Sequence, residues 1–174
     1  ANQCFKKGDT KITLGTGACT LTNIGSDLIS SKSALTALSF VYKGKPQYSF
    51  ECLTAFAGAT ISWIENNLNL INDPNDSERI SLELEDNGGV YVIPAFAGLS
   101  APYWLPSAKA MFYGITAATN FKHIVRASLE SVAYQIAAYL EYIQKNEKID
   151  ISKIIIDGGM TNNSFLMQLI SNLS

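Results

Sequence analysis

The clearest pattern in the chain is an apolar stripe in its second half. Phe121, Val125, Leu129, Val132, Ile136, Leu140 and Ile143 step by four, four, three, four, four and three residues, the period of one helix face held over six turns. That spacing predicts a long amphipathic helix. Phe56, Ala59, Trp63 and Leu70 fall at similar intervals and predict a second helix from Thr54 to Leu70. Elsewhere the apolar positions alternate or cluster over short stretches. Lys11–Asn23 is rich in Thr, Ile and Leu around Gly15 and Gly17, which predicts two strands joined by a tight turn with these glycines at positive φ. Leu35–Tyr42 and Gln47–Cys52 flank Lys43-Gly44-Lys45-Pro46 and predict a second hairpin.

Asn72-Asp73-Pro74-Asn75-Asp76 reads as a surface turn, with Ser77 capping a short helix through Leu84. Val90–Pro94 and Ile154–Asp157 read as buried strands, Met111–Ile115 as another short strand, and Ala95–Ser107 as a loop. After the turn Gly158-Gly159, Asn163–Leu173 opens a last helix whose apolar face is Phe165, Leu166, Leu169, Ile170 and Leu173. Hairpins first, then alternating helix and strand, describe an α/β domain with a mixed sheet.

Composition narrows the function classes. The chain has 174 residues, 47% of them apolar, enough for one domain with a real core. Thirteen basic residues against fifteen acidic ones leave no positive excess for a phosphate backbone, which argues against nucleic acid as a partner. No apolar run approaches the ~18 residues of a membrane span, so no membrane partner is expected either. Cys4, Cys19 and Cys52 lack metal-ligand or disulfide spacing and read as free thiols of a reducing cytoplasm. The sequence opens Ala1-Asn2-Gln3 without methionine, and its final apolar face runs to the end without a glycine stop. It therefore reads as a domain truncated at both ends.

Two glycine turns are the candidates for chemistry. In Gly15-Thr16-Gly17, bare backbone amides and the Thr16 hydroxyl suit a phosphate, though a plain hairpin turn has the same sequence. Asp157-Gly158-Gly159 lies at the carboxyl end of an expected strand, where α/β sheets gather ligands. There a base or ribose can lie on backbone, and the following helix N-terminus favours anionic groups; a tight connection is the alternative. His123 reads as a cap or surface residue, and Pro102-Tyr103-Trp104 as an aromatic anchor for its loop. The acidic run Glu83–Asp86 reads as a solvated helix end. No metal site and no acid/base carboxylate pair stands out.

Taken in order, LGTG at Leu14–Gly17, AFAGATISWIENNLNLI at Ala55–Ile71, NGGVYVIPAFAGLSAPYW at Asn87–Trp104, GITAATNFKHIVRASLESVAYQI at Gly114–Ile136 and IIIDGGMTNNSFLMQLISNLS at Ile154–Ser174 resemble the C-terminal, nucleotide-binding domain of the FGGY carbohydrate kinases. The resemblance covers essentially the whole chain. It implies a ribonuclease-H-like domain, the fold shared with actin and hexokinase, with residues 1–174 as the partial nucleotide-binding half of a two-domain kinase. Thr16 would face the γ-phosphate of ATP. Gly58 and Ser62 would contact phosphates and ribose, and Gly159 and Asn163 the base and sugar. Cys19 would stand by the acceptor polyol. APYW after the PAFAGL run is most similar to members that phosphorylate glycerol, while xylulose, gluconate and similar acceptors are the alternatives within the family.

The same resemblance implies ATP with Mg²⁺ as cofactors, ATP/ADP and a small polyol or sugar as partners, a cytoplasmic location, and a full-length protein that is a candidate homo-oligomer. It places the catalytic aspartate and the substrate domain upstream of Ala1, so the chain alone is expected to be inactive. Departures from the family pattern are Ser62 in place of glutamine, Cys19 in place of an aromatic residue, and Leu105, Lys109 and Ala110 after APYW. A reading from another class is a non-catalytic, actin-like nucleotide-binding module. The sequence upstream of Ala1 separates the two.

Overall fold

A computed structural model describes residues 3–174; Ala1 and Asn2, on which part of the expected truncation rests, lie outside them. Among the described residues seven strands and four α-helices form in chain order: β1 (Asp9–Leu14), β2 (Ala18–Gly25), β3 (Leu35–Tyr42), β4 (Lys45–Thr54), α1 (Gly58–Asn66), α2 (Asp76–Leu82), β5 (Tyr91–Ile93), β6 (Met111–Tyr113), α3 (Phe121–Asn146), β7 (Lys153–Asp157) and α4 (Ser164–Leu173). A short 3₁₀ turn, Gly159–Asn162, joins β7 to α4. The main sheet has the order β3-β4-β2-β1-β7. Its hairpins are antiparallel and β7 lies parallel to β1, pairing Thr13 with Asp157. The mixed sheet expected from the sequence is present.

One face of this sheet is covered. Ile12, Leu14, Ala18, Phe50 and Cys52 point from it onto Val132, Ala133, Ile136, Tyr139, Leu140 and Ile143 of α3 and onto Leu166 and Ile170 of α4. The stripe read along α3 is therefore the face that fills the core from Val125 to Ile143, while Phe121 at its start is exposed. Ile61 and Ile64 of α1, Ile71, Ile80 of α2, and Val125 and Leu129 of α3 make a second apolar cluster. The α3 N-terminus is closed by a capping box in which Asn120 Oδ1 accepts from the Lys122 amide at 3.0 Å and His123 Nδ1 accepts from the Asn120 amide at 3.1 Å. His123 is a cap, as its position suggested. Trp104 pins its loop by donating its indole N–H to the Ser33 carbonyl at 3.0 Å.

Several boundaries differ from the sequence reading. The Thr54–Leu70 helix is shorter: Thr54 ends β4, paired with Ala18, and α1 stops at Asn66, ahead of Asn69 at φ 52. Ser77 is not a cap. It is buried inside α2, which ends at Leu82, and it donates to the Pro74 carbonyl at 2.6 Å. β5 alternates, with Val92 buried between exposed Tyr91 and Ile93, because it pairs only with β6 in a separate two-stranded sheet. β6 ends at Tyr113 because Gly114 turns to φ 81. β7 is an edge strand, so its isoleucines are half-buried. Gly15 and Gly17 do not take positive φ; a Cβ on Gly17 would instead lie 2.7 Å from the Thr54 carbonyl oxygen, so this glycine serves close packing.

Candidate functional site

A cleft of about 470 Å³ opens where four segments meet. Its walls are the β1–β2 turn, the first turns of α1, the start of α2 with the loop before it, and the 3₁₀ turn leading to α4; Leu129 of α3 closes part of the floor. Thr16, Gly58, Ser62, Gly159 and Asn163 all line this space, although the sequence spreads them over nearly the whole chain.

Backbone contacts build the cleft. The Ala57 and Ala59 amides donate to the Thr16 carbonyl at 3.1 and 2.8 Å, and the Gly58 amide donates to the Gly15 carbonyl at 3.0 Å. The turn is thereby fastened to the start of α1. Glycine is needed at that seam, because a Cβ on Gly58 would sit 2.7 Å from the Gly15 oxygen. Gly158 is tighter still: its φ is 106, and a Cβ would sit 2.1 Å from the Leu14 carbonyl oxygen. Gly159 differs from both. A Cβ there would meet nothing within 4 Å, so neither packing nor backbone geometry asks for glycine at this cleft-lining position.

The two ends of the cleft differ chemically. At the β1–β2 turn, Thr16 is exposed with its hydroxyl free to face a ligand, and Ser62 adds a second hydroxyl one turn into α1. At the far end lie Asn163, Ser77 and Glu78. Asn163 caps α4, its Oδ1 accepting from the Leu166 amide at 2.9 Å, while its Nδ2 lies 3.5 Å from Ser77 Oγ. Glu78 Oε1 accepts from the Ser164 and Phe165 amides at 2.9 and 3.3 Å. The helix N-terminus expected to hold an anionic ligand group is therefore occupied by this carboxylate. Glu78 is also the one charged residue on the cleft wall among the described residues. Nothing in the local sequence marks it, since its role comes from contact between α2 and α4.

Cys19 lies outside the cleft, on the sheet face turned away from α3. Its thiol donates to Glu51 Oε1 at 3.6 Å, and burial first, then the Glu51 carboxylate, pushes its pKa up. On the same face, Lys11 pairs with Asp157 at 3.1 Å, and its ammonium also donates to the Thr13 hydroxyl. Among the described residues no group of three or more His, Cys, Asp or Glu side chains is placed to hold a metal ion. The turn end of the cleft offers the Thr16 and Ser62 hydroxyls, uncharged donors that suit phosphate oxygens rather than a hard cation. Among the described residues no helix is long and apolar enough to cross a membrane.

Comparison with known proteins sets this geometry among relatives. The family described as the FGGY family of carbohydrate kinases, C-terminal domain, matches residues 10–173. A glycerol kinase of Clostridium perfringens (strain SM101 / Type A) is 47% identical over 170 residues, which are 97% of this chain and 34% of that protein. A glycerol kinase of Haemophilus influenzae (strain Rd) is 42% identical over 171 residues. Among solved structures, the Plasmodium falciparum glycerol kinase with ADP superposes with a TM-score of 0.90 at 36% identity, over 98% of this chain and 34% of that one. A xylulose kinase from Rhodospirillum rubrum reaches 0.81 at 18% identity, a likeness of fold alone. These neighbours share the actin/hexokinase ATPase fold, and the chain spans about a third of the length, 34%, of the curated relatives it matches.

Proposed function

The chain belongs to the FGGY family of carbohydrate kinases, through that family's C-terminal domain, and on this premise we propose that it is the nucleotide-binding part of an ATP-dependent kinase whose acceptor is a polyol, glycerol first. The observation that carries this reading is the convergence of Thr16, Gly58, Ser62, Gly159 and Asn163 on one cleft. The triphosphate lies toward the β1–β2 turn, where the Thr16 hydroxyl meets the γ-phosphate. The nucleoside lies toward Gly159 and Asn163. Uncharged hydroxyls and amides suit phosphoryl transfer, in which positioning and electrostatic complementarity do most of the work.

Magnesium accompanies the nucleotide in this reading. Among the described residues there is no carboxylate cage for it, so the residues of this cleft bind and orient the nucleotide itself. The acceptor lies on the open sheet face near Cys19, outside the nucleotide cleft. The protein works in the cytoplasm.

The test is phosphoryl transfer by the full-length protein to glycerol, xylulose and gluconate, with ADP binding to the 174-residue chain measured alongside. We expect glycerol to be the preferred acceptor and the isolated chain to be inactive. Turnover of none of the three by a protein that binds ATP would instead favour the non-catalytic module.

A further inference from the structure

Glu78 sits where the cleft needs a chemical distinction between its ends. Its carboxylate is fixed, because Oε1 takes two amides at the start of α4 at 2.9 and 3.3 Å. The side chain nevertheless lines the cleft. No other hydrogen bond or ion pair engages its second oxygen among the described residues. A carboxylate is an acceptor only, with room for several donors, and its negative charge repels phosphate. Gly159, which also lines the cleft, leaves space that no protein atom fills within 4 Å of where a Cβ would stand.

From this arrangement we infer that Glu78 is a nucleotide-specificity residue, whose free carboxylate oxygen accepts a hydrogen bond from the nucleoside of the bound nucleotide. The donor is a group that phosphate lacks, either a ribose hydroxyl or the exocyclic amine of adenine. The same charge sets the polarity of binding, since triphosphate at this end would face an unneutralised carboxylate. This inference rests on the nucleotide reading of the cleft and adds the residue that selects the ligand and its direction.

Its test is equilibrium binding of ATP, 2′-deoxy-ATP, 3′-deoxy-ATP and inosine triphosphate to the full-length protein by isothermal titration, in native form and as Glu78→Gln. The deoxy analogues report on the ribose hydroxyls, and inosine triphosphate reports on the amine. The native protein is expected to prefer ATP about tenfold or more over at least one analogue. In Glu78→Gln the amide oxygen still caps α4 while its NH₂ turns a donor toward the cleft. ATP should then bind about 10- to 100-fold more weakly, and the preference over that analogue should shrink to within about twofold.

A residue that only caps α4 would weaken all four nucleotides together and leave their ratios unchanged; that result overturns the inference. So does a native protein that binds all four equally, an outcome independent of how well the variant folds. Binding of none of the four by the native protein would overturn the nucleotide reading itself, a failure distinct from loss of discrimination.

Discussion

Adjacent glycines at the end of β7 should respond oppositely to the same added methyl. Gly158 has φ 106 and ψ 171, a region essentially closed to other residues, and occupying it with alanine costs about 1–3 kcal/mol. The new Cβ would also lie 2.1 Å from the Leu14 carbonyl oxygen, so the β1–β7 seam must open. Together these put Gly158→Ala at a loss of about 3 kcal/mol or more, or roughly 6–12 °C in Tm for a chain of this size. At Gly159 the methyl meets nothing within 4 Å, so Gly159→Ala should stay within about 0.5 kcal/mol of the native protein. Gly159 lines the cleft, and a methyl that meets a fitted ligand there overpacks it at a cost of about 1–3 kcal/mol, so ATP should bind about 10- to 100-fold more weakly. Urea denaturation and isothermal titration of both variants read the two effects separately. A Gly159→Ala protein that binds ATP normally would refute the placement of the ligand. A Gly158→Ala protein of native stability would refute the account of the seam.

Three further outcomes follow from single groups. Glu130→Ala should lose about 3–5 kcal/mol in urea denaturation, because the buried Glu130 holds Arg126 Nε at 2.8 Å and Asn87 Nδ2 at 2.7 Å; a loss under 1 kcal/mol would contradict that role. Burial raises the Asp9 carboxyl, but the Lys6 amide, the Lys153 ammonium and the Ser152 hydroxyl together outweigh it and hold the pKa below the usual value. Its stabilisation is therefore fully present above the unfolded pKa of about 4 and is lost as pH falls through the lower folded value. Asp9→Asn should flatten that part of the acid limb in urea midpoints taken from pH 6 to 3, whereas parallel curves would show that Asp9 contributes nothing to it. Burial pushes the Cys52 thiol up to about 12, so it should resist thiol reagents at pH 8 in the native protein and react on unfolding; rapid native labelling at Cys52 would contradict its burial.

Elements defined by local periodicity were legible in the sequence. The α3 stripe repeats over six turns, and both hairpins carry their turns inside the strand pattern, so no distant contact is needed to see them. The misreadings arose where a distant contact decides. Thr54 has a helical neighbourhood, yet pairing with Ala18 keeps it in β4. Ser77 looks like a cap, but Asn75 precedes α2 and the Ser77 hydroxyl turns back to Pro74. The five residues that motif resemblance assigns to a nucleotide were visible as candidates in the sequence, and the fold brings them to one cleft. Glu78 was not, because what singles it out is its reach from α2 to two amides of α4, a relation that no spacing encodes.

The glycine richness that suggests phosphate binding in the sequence divides into two functions in the fold. Gly17, Gly58 and Gly158 let the β1–β2 turn, the start of α1 and the end of β7 approach to distances that exclude a Cβ. Gly159 alone among these four leaves room at the cleft. The seam made by the first three carries three backbone hydrogen bonds between the turn and α1, and the core beneath it is fully buried at Ile12 and Leu14. Moving Thr16 relative to Gly58 would break those bonds where the flanking strand ends are already packed, so this end of the cleft should resist local opening. Such rigidity is what positioning a triphosphate requires, since a misplacement of 1 Å can cost about 100-fold in rate. Exchange of the Ala57, Gly58 and Ala59 amides with solvent deuterium tests this directly. Those amides should exchange as slowly as the core of β1, whether or not nucleotide is bound, and fast exchange that slows only on ATP binding would show that the site is assembled by its ligand.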